Sequence, residues 1–201
     1  LQFLHADAGE HTCIFGKNTT EAINKLARRF PFQPGRDVVL TSGLEHHSND
    51  LPWRAAAHTV HIRLTPEGRI DMADYEAQLD AYAGRVALVS LAGASNVTGF
   101  ISPIHQMAEM AHVAGAQILA DCAQLAPHRA IEMLPRQDAA HLDYVTLSAH
   151  KMYGPKGIGA LYVRRGIKLV PLIDGGGHER RMRSGTLNVP GIVGLGKAAE
   201  I

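Results

Sequence analysis

The sequence predicts an α/β fold: three layers, with helices on both faces of a mostly parallel seven-stranded sheet. Short β-branched or apolar runs alternate with amphipathic helical stretches along the 201 residues, the order that builds strand–helix–strand crossovers. Such crossovers are right-handed, which distributes the helices over both faces. The third observation is where the chemistry-bearing residues fall. They follow the strands directly, at the carboxyl edge where open α/β sheets bind ligands.

The elements justify themselves in chain order. A strand is expected at 11–15 (HTCIF), then a helix at 20–30 carrying Ala22, Ile23, Leu26, Ala27 and Phe30 on one face. Strands at 37–41 and 59–64 follow. A helix at 72–82 opens behind Asp71, a good N-cap, and stops before Gly84. After a strand at 86–91 comes a helix at 103–114, with Ser102 as cap, Pro103 in the first turn and Gly115 as terminator. Its apolar stripe is Ile104, Met107, Ala108 and Ala111. Strands at 117–120, 144–147 and 159–163 complete the sheet. The stretch 191–201 reads as a helix still in progress, and the chain begins on Leu1 rather than Met. The expectation is therefore a part of a longer protein.

Composition narrows the function classes. With 46% hydrophobic and 19% charged residues, the chain has the material for one soluble globular domain. Its apolar runs are too short to span a bilayer, and the N-terminus lacks a signal-peptide pattern, so a cytoplasmic protein with no membrane partner is expected. A formal net charge of +1 with scattered basic residues argues against nucleic-acid binding. The densest basic clusters, at 164–168 and 179–183, read as solvated loops. Cys13 and Cys122 are far apart and lack CxxC spacing, so neither a disulfide nor a metal site is expected.

Four segments carry candidate chemistry. Ser148-Ala149-His150-Lys151 follows the strand DYVTL and precedes a turn containing Gly154, Gly157 and Gly159. An isolated lysine there is usually a surface residue; beside glycines that let the backbone bend around a ligand, it becomes a candidate amine nucleophile, desolvated and lowered in pKa. Asp121, in LADCAQ, ends a buried strand, where an acid can cap a helix, bind metal or act as a base. Asn18-Thr19-Thr20-Glu21 opens a helix whose free N–H groups and dipole attract anions, and Thr20 is the expected cap. Glu45-His46-His47-Ser48-Asn49 follows VVLTS. Adjacent histidines point apart and lack a third ligand at the usual spacing, so a flat imidazole stacked on a flat ring is the more useful reading.

Taken together, SAHKMYGPKGIGALYVRR, ADCAQ, LEHHSNDLPW, NTTEAIN, SNVTG and GGGHERRMRSGTLNVPGIVGLGKA resemble the class V aminotransferase family of fold-type I pyridoxal-phosphate (PLP) enzymes, most of all the cysteine desulfurases. The likeness runs over nearly the whole chain. His46-His47 with Asn49 and Trp53 resembles one desulfurase branch, and RSGTLNVP resembles the other. Cys122 departs from the Ala or Gly common in the family and fits as a small core residue.

The resemblance implies that residues 1–201 form the PLP-binding large domain, with an N-terminal segment and a small C-terminal domain lying outside it. It implies that Lys151 carries the cofactor and moves the substrate's α-proton, and that Asp121 pairs with the ring nitrogen. Gln124 would bond the phenolic oxygen, His46 would stack on the ring, and Asn96 would reach the phenolic oxygen or the substrate carboxylate. Thr19, Thr20, Ser148 and His150 would hold the phosphate, while Thr186 would reach the partner's cofactor across a homodimer. The implied reaction is L-cysteine to L-alanine, with sulfur passing to an enzyme persulfide and then to an acceptor protein. The attacking cysteine and the carboxylate-binding arginine would lie beyond this chain. Three alternatives stay open: another class V activity such as a selenocysteine lyase, an aminotransferase or an epimerase; a non-catalytic dimer partner; and, for the sulfur, any of several acceptors.

Overall fold

The computed structural model describes residues 2–200. All seven expected strands are present, each within one or two residues of its predicted ends: β1 (His11–Gly16), β2 (Val38–Ser42), β3 (His58–Ile62), β4 (Val86–Ala92), β5 (Gln117–Asp121), β6 (Tyr144–Ser148) and β7 (Gly159–Arg164). They form one sheet in the order β1-β7-β6-β5-β4-β2-β3. The pairings among β2 to β6 are parallel, whereas β7 is antiparallel to both β6 and β1. The reversal has a local cause. Between β6 and β7 the chain makes only a 3-10 turn at Ala149–Lys151, and without a crossover helix it must double back.

Alternation along the strands divides the core in two. Val39, Leu88, Leu119, Tyr144 and Leu161 face α1 (Thr19–Arg29) and α2 (Leu51–Ala56), packing on Ile23, Leu26 and Trp53. Their neighbours Val38, Leu40, Val89, Ile118, Val145 and Ala160 face the opposite way, onto α3 (Met72–Ala81), α4 (Ile104–Val113) and α5 (Val189–Ala198). Tyr75 of α3 is fully buried and donates its hydroxyl proton to the Met107 carbonyl of α4 at 2.8 Å. Strands buried on both faces have to read as continuous apolar runs, which is why they are visible in the sequence.

Several local expectations change. α1 starts one residue early, so Asn18 rather than Thr20 is its cap, accepting the Glu21 N–H at 2.8 Å. α4 starts one residue late. Pro103 takes the cap position with no side-chain bond, and the Ser102 hydroxyl is buried without a hydrogen-bond partner. α2 has no counterpart in the sequence reading: six residues are too few to show a helical period. α5 ends at Ala198 rather than running on, and Ile201 lies outside the described residues. Among the described residues, no helix is long and apolar enough to cross a membrane.

Candidate active site

Five strand ends converge on one cavity of about 260 Å³. The segment after β1 brings Asn18, Thr19 and Thr20; that after β2 brings His46 and Ser48; β4 and its loop bring Ala92, Ala94 and Asn96. β5 contributes Asp121, Ala123 and Gln124, and β6 contributes Ser148, His150 and Lys151. Every candidate residue from the sequence except Thr186 lines this space. Thr186 is exposed, in the segment leading into α5.

One end is built for an anion. The N–H of Thr19 is taken by the Ser148 hydroxyl oxygen at 2.9 Å, that of Glu21 by the Asn18 side chain, and that of Ala22 by the Asn18 carbonyl. Among the described residues this leaves the Thr20 N–H, beside an exposed Thr20 hydroxyl, at the positive end of the helix dipole. Ser148 is more committed than expected. Its hydroxyl also donates to Thr19 Oγ1 at 3.1 Å, tying β6 to the start of α1.

The opposite wall carries an acid. Asp121 is buried, and its Oδ1 accepts the Ala123 N–H at 3.0 Å and the Thr146 hydroxyl at 3.3 Å. Burial pushes its pKa up to about 6, against the opposing pull of these bonds and of nearby His46. A carboxyl so poised gains from a cationic N–H placed in the cavity. His46 is exposed at the rim. Its Nδ1 accepts the Ser48 N–H at 3.2 Å and lies 2.8 Å from the Ser48 hydroxyl, so the neutral ring carries its proton on Nε2.

Lys151 ends the 3-10 turn after β6, which is held by Met152 and Gly154 N–H groups donating to the Ala149 carbonyl, both at 2.9 Å. Its side chain is exposed. The expected desolvation is therefore not supplied by this chain's own atoms, because the amine stands at the open side of the cavity. Of the turn glycines, Gly157 has φ +79°, a conformation that favours glycine.

Sequence reasoning passed over Glu45, although it stands next to His46. Its carboxylate accepts the Ser42 hydroxyl and the Asn49 amide, each at 2.6 Å. Asn49 in turn accepts from Trp53 Nε1 at 3.1 Å and the Ser90 hydroxyl at 2.6 Å. This network anchors the loop that carries His46 to α2 and β4. Burial pushes the Glu45 pKa up to about 7, with the Asp121 charge adding to the rise. Neither cysteine reaches the cavity: Cys122 is fully buried, and burial raises the Cys13 thiol to about 12.

The residues present fit a planar heteroaromatic ring with a phosphate arm. An anion cradle, a buried acid, an imidazole and a primary amine surround one small space. Outside it, a wider apolar groove of about 720 Å³ opens between α1 and α2, next to His46, lined in part by Ala27, Phe30, Leu51 and Pro52.

Known proteins match this arrangement. The profile of the class-V aminotransferases covers residues 2–201. A cysteine desulfurase of Cereibacter sphaeroides is 40% identical over all of this chain and 51% of its own length. A cysteine desulfurase IscS of an Anaeromyxobacter species is 47% identical over 94% of this chain and 47% of its own length. Among solved structures, the Rickettsia africae NifS-like protein superposes with a TM-score of 0.87 at 28% identity, covering 98% of this chain and 53% of that one. The Escherichia coli cysteine desulfurase CsdA gives 0.84 at 31% identity, covering 99% and 54%. The chain thus spans about half the length of the relatives it matches. With the sheet, the cavity and the whole-length match in agreement, this chain belongs to the class-V aminotransferase family.

Proposed function

We propose that this chain carries the pyridoxal-phosphate site of a cysteine desulfurase, which converts L-cysteine to L-alanine and passes the sulfur to an enzyme thiolate. The observation that carries the reading is the shared cavity, where the Lys151 amine, the buried Asp121 carboxylate and the amino end of α1 meet. The relatives named above support the choice of reaction.

When bound, pyridoxal phosphate supplies an electron-withdrawing ring that takes up the electron pair released at the substrate's α-carbon. The chain's own residues do the rest. Lys151 Nζ would hold the cofactor covalently and is the amine placed to move the substrate's α-proton. Asp121 keeps a proton on the ring nitrogen, and a carboxyl of pKa about 6 gains the stronger anionic character it needs once that cation faces it. His46, with its orientation fixed by Ser48, would cover the ring face. The Thr20 hydroxyl and N–H and His150 would hold the phosphate, while Ser148 braces Thr19. Gln124 and Asn96, which line the same cavity, would bond the phenolic oxygen.

Cys13 and Cys122 are both packed and poorly acidic, so the attacking thiolate has to come from outside these residues. A homodimer accounts for the exposed Thr186 and for the open apolar groove beside the phosphate end, where Leu51 is 54% exposed. Sulfide release from L-cysteine by the full-length protein tests the reading. Release that depends on Lys151 is expected. Binding of the cofactor without sulfide release would point instead to another class V reaction.

A further inference from the structure

Away from the cavity, at the amino ends of β5 and β6, a second cluster stands at the opposite edge of the sheet. His112 lies in the last turn of α4, while His141 and Asp143 end the irregular connection that leads into β6. Among the described residues this is the one group of three His, Cys, Asp or Glu placed to share an ion, with its ligand atoms all within 4.8 Å of one another. None of the three is fully exposed; the Asp143 side chain is only 7% exposed.

The hydrogen bonding here is unusual. His112 Nδ1 faces the Ala139 carbonyl at 2.6 Å, and its Nε2 faces Asp143 Oδ2 at 3.0 Å. His141 Nδ1 faces the Asp138 carbonyl at 2.7 Å, and its Nε2 faces Asp143 Oδ1 at 3.4 Å. Each ring therefore has an acceptor at both nitrogens, yet a neutral imidazole has only one N–H. Protonation of one or both rings answers this, with the Asp143 carboxylate drawing the His112 pKa upward, and so does a cation shared by the two Nε2 lone pairs and the carboxylate. The rings stack with centroids 4.0 Å apart and 27° between planes, a poor arrangement for two imidazolium cations in contact. A third cation, Arg164, lies beside them with Nε 3.8 Å from Asp143 Oδ1. Arg164 does not satisfy Asp143: its Nε and Nη1 make no hydrogen bond, and its Nη2 is spent on the Met133, Leu134 and Leu142 carbonyls.

We propose that His112, His141 and Asp143 form a structural site for a divalent transition-metal ion of the zinc type. Two imidazoles and one carboxylate are the donor set such ions prefer, whereas calcium and magnesium favour all-oxygen sets. With metal–ligand bonds of about 2.0–2.2 Å, tetrahedral ligands sit about 3.3 Å apart, so donor atoms that lie within 4.8 Å of one another need only draw together slightly around an ion. Each ligand imidazole also donates its other N–H to a backbone carbonyl, the support that fixes a metal-binding tautomer. The Ile118 N–H donates to Asp143 Oδ2 at 2.9 Å and fixes the carboxylate facing the two rings. The ion would pin the connection before β6 to the end of α4. The sequence reading missed the site because its ligands come from two segments with no motif spacing.

Titration of the EDTA-treated chain with cobalt(II), followed by its visible ligand-field absorption, tests the proposal; zinc competition and melting temperature complete the measurement. One cobalt per chain is expected, displaced by zinc, with tighter binding as pH rises and the imidazoles lose protons. His141→Ala should weaken binding by roughly tenfold or more, while His47→Ala, in the other histidine pair, should leave it unchanged. If His141→Ala fails to fold, His141→Gln keeps one hydrogen bond and removes the ligand. No stoichiometric cobalt or zinc binding, or equal binding in the His141 variants, overturns the site. Two imidazolium rings seen by NMR at pH 7.5 in the presence of zinc would overturn it as well.

Discussion

At the scale of single residues, the site sets a buried acid, Asp121, and a half-buried one, Glu45, close enough for their charges to interact. Glu45 has the larger consequence for stability. Its folded pKa of about 7 lies above the ordinary 4.5, so the folded chain binds this proton more tightly than the unfolded chain. The stabilisation it contributes is complete at low pH and is lost as pH rises through about 7. Glu45→Gln should therefore flatten the fall in unfolding free energy between pH 5 and 7.5 by about 2–3 kcal/mol, measured by urea denaturation at the two pH values. An unchanged pH slope would mean that Glu45 titrates normally. Asp121 was legible in the sequence because an acid closing an apolar strand is conspicuous. Glu45 was not, since its burial depends on Ser42 and Asn49 folding over it.

At the scale of elements, the site depends on β7 running hard against the start of α1. A Cβ on Gly159 would come 2.5 Å from the Leu147 carbonyl oxygen and 2.7 Å from Asn18 Cα, both backbone atoms that cannot swing aside. Gly159→Ala should accordingly destabilise the chain by about 1–3 kcal/mol and weaken PLP binding, because the displaced Asn18 caps the anion-binding helix. Urea unfolding with a parallel PLP titration checks both effects. A variant as stable as the parent would show that the strand and helix can separate freely. The glycine-rich turn was visible in the sequence as a place of tight bending. What it packs against was not, for Asn18 and Gly159 are distant in sequence and meet only through the β1–β7 pairing. The same limit explains the antiparallel β7: periodicity marks a strand without giving its direction. It also explains the shifted caps of α1 and α4, where runs such as Asn18-Thr19-Thr20 offer several capping side chains and tertiary contacts choose among them.

At the scale of the molecule, two apolar cores brace the sheet and leave its carboxyl edge free for polar groups, so residues far apart in sequence reach one cavity, some buried like Asp121, Thr19 and Ser148 and others exposed like His46 and Lys151. That is why Thr20, His46, Asp121 and Lys151, at or just after strand ends, stood out in the sequence, whereas Thr19, Asn96, Gln124, Ser148 and His150 came with the family resemblance; the order of strands in the sheet was not legible. Thr186 follows no strand and stands outside the cavity, exposed. The central claim is that this edge holds pyridoxal phosphate through Lys151, and it is tested most directly by borohydride reduction of the PLP-treated chain followed by peptide mass mapping. One phosphopyridoxyl group per chain on Lys151 is predicted, with no such modification in Lys151→Ala. Labelling spread over Lys17, Lys156 and other exposed lysines, with no preference for Lys151, would contradict it.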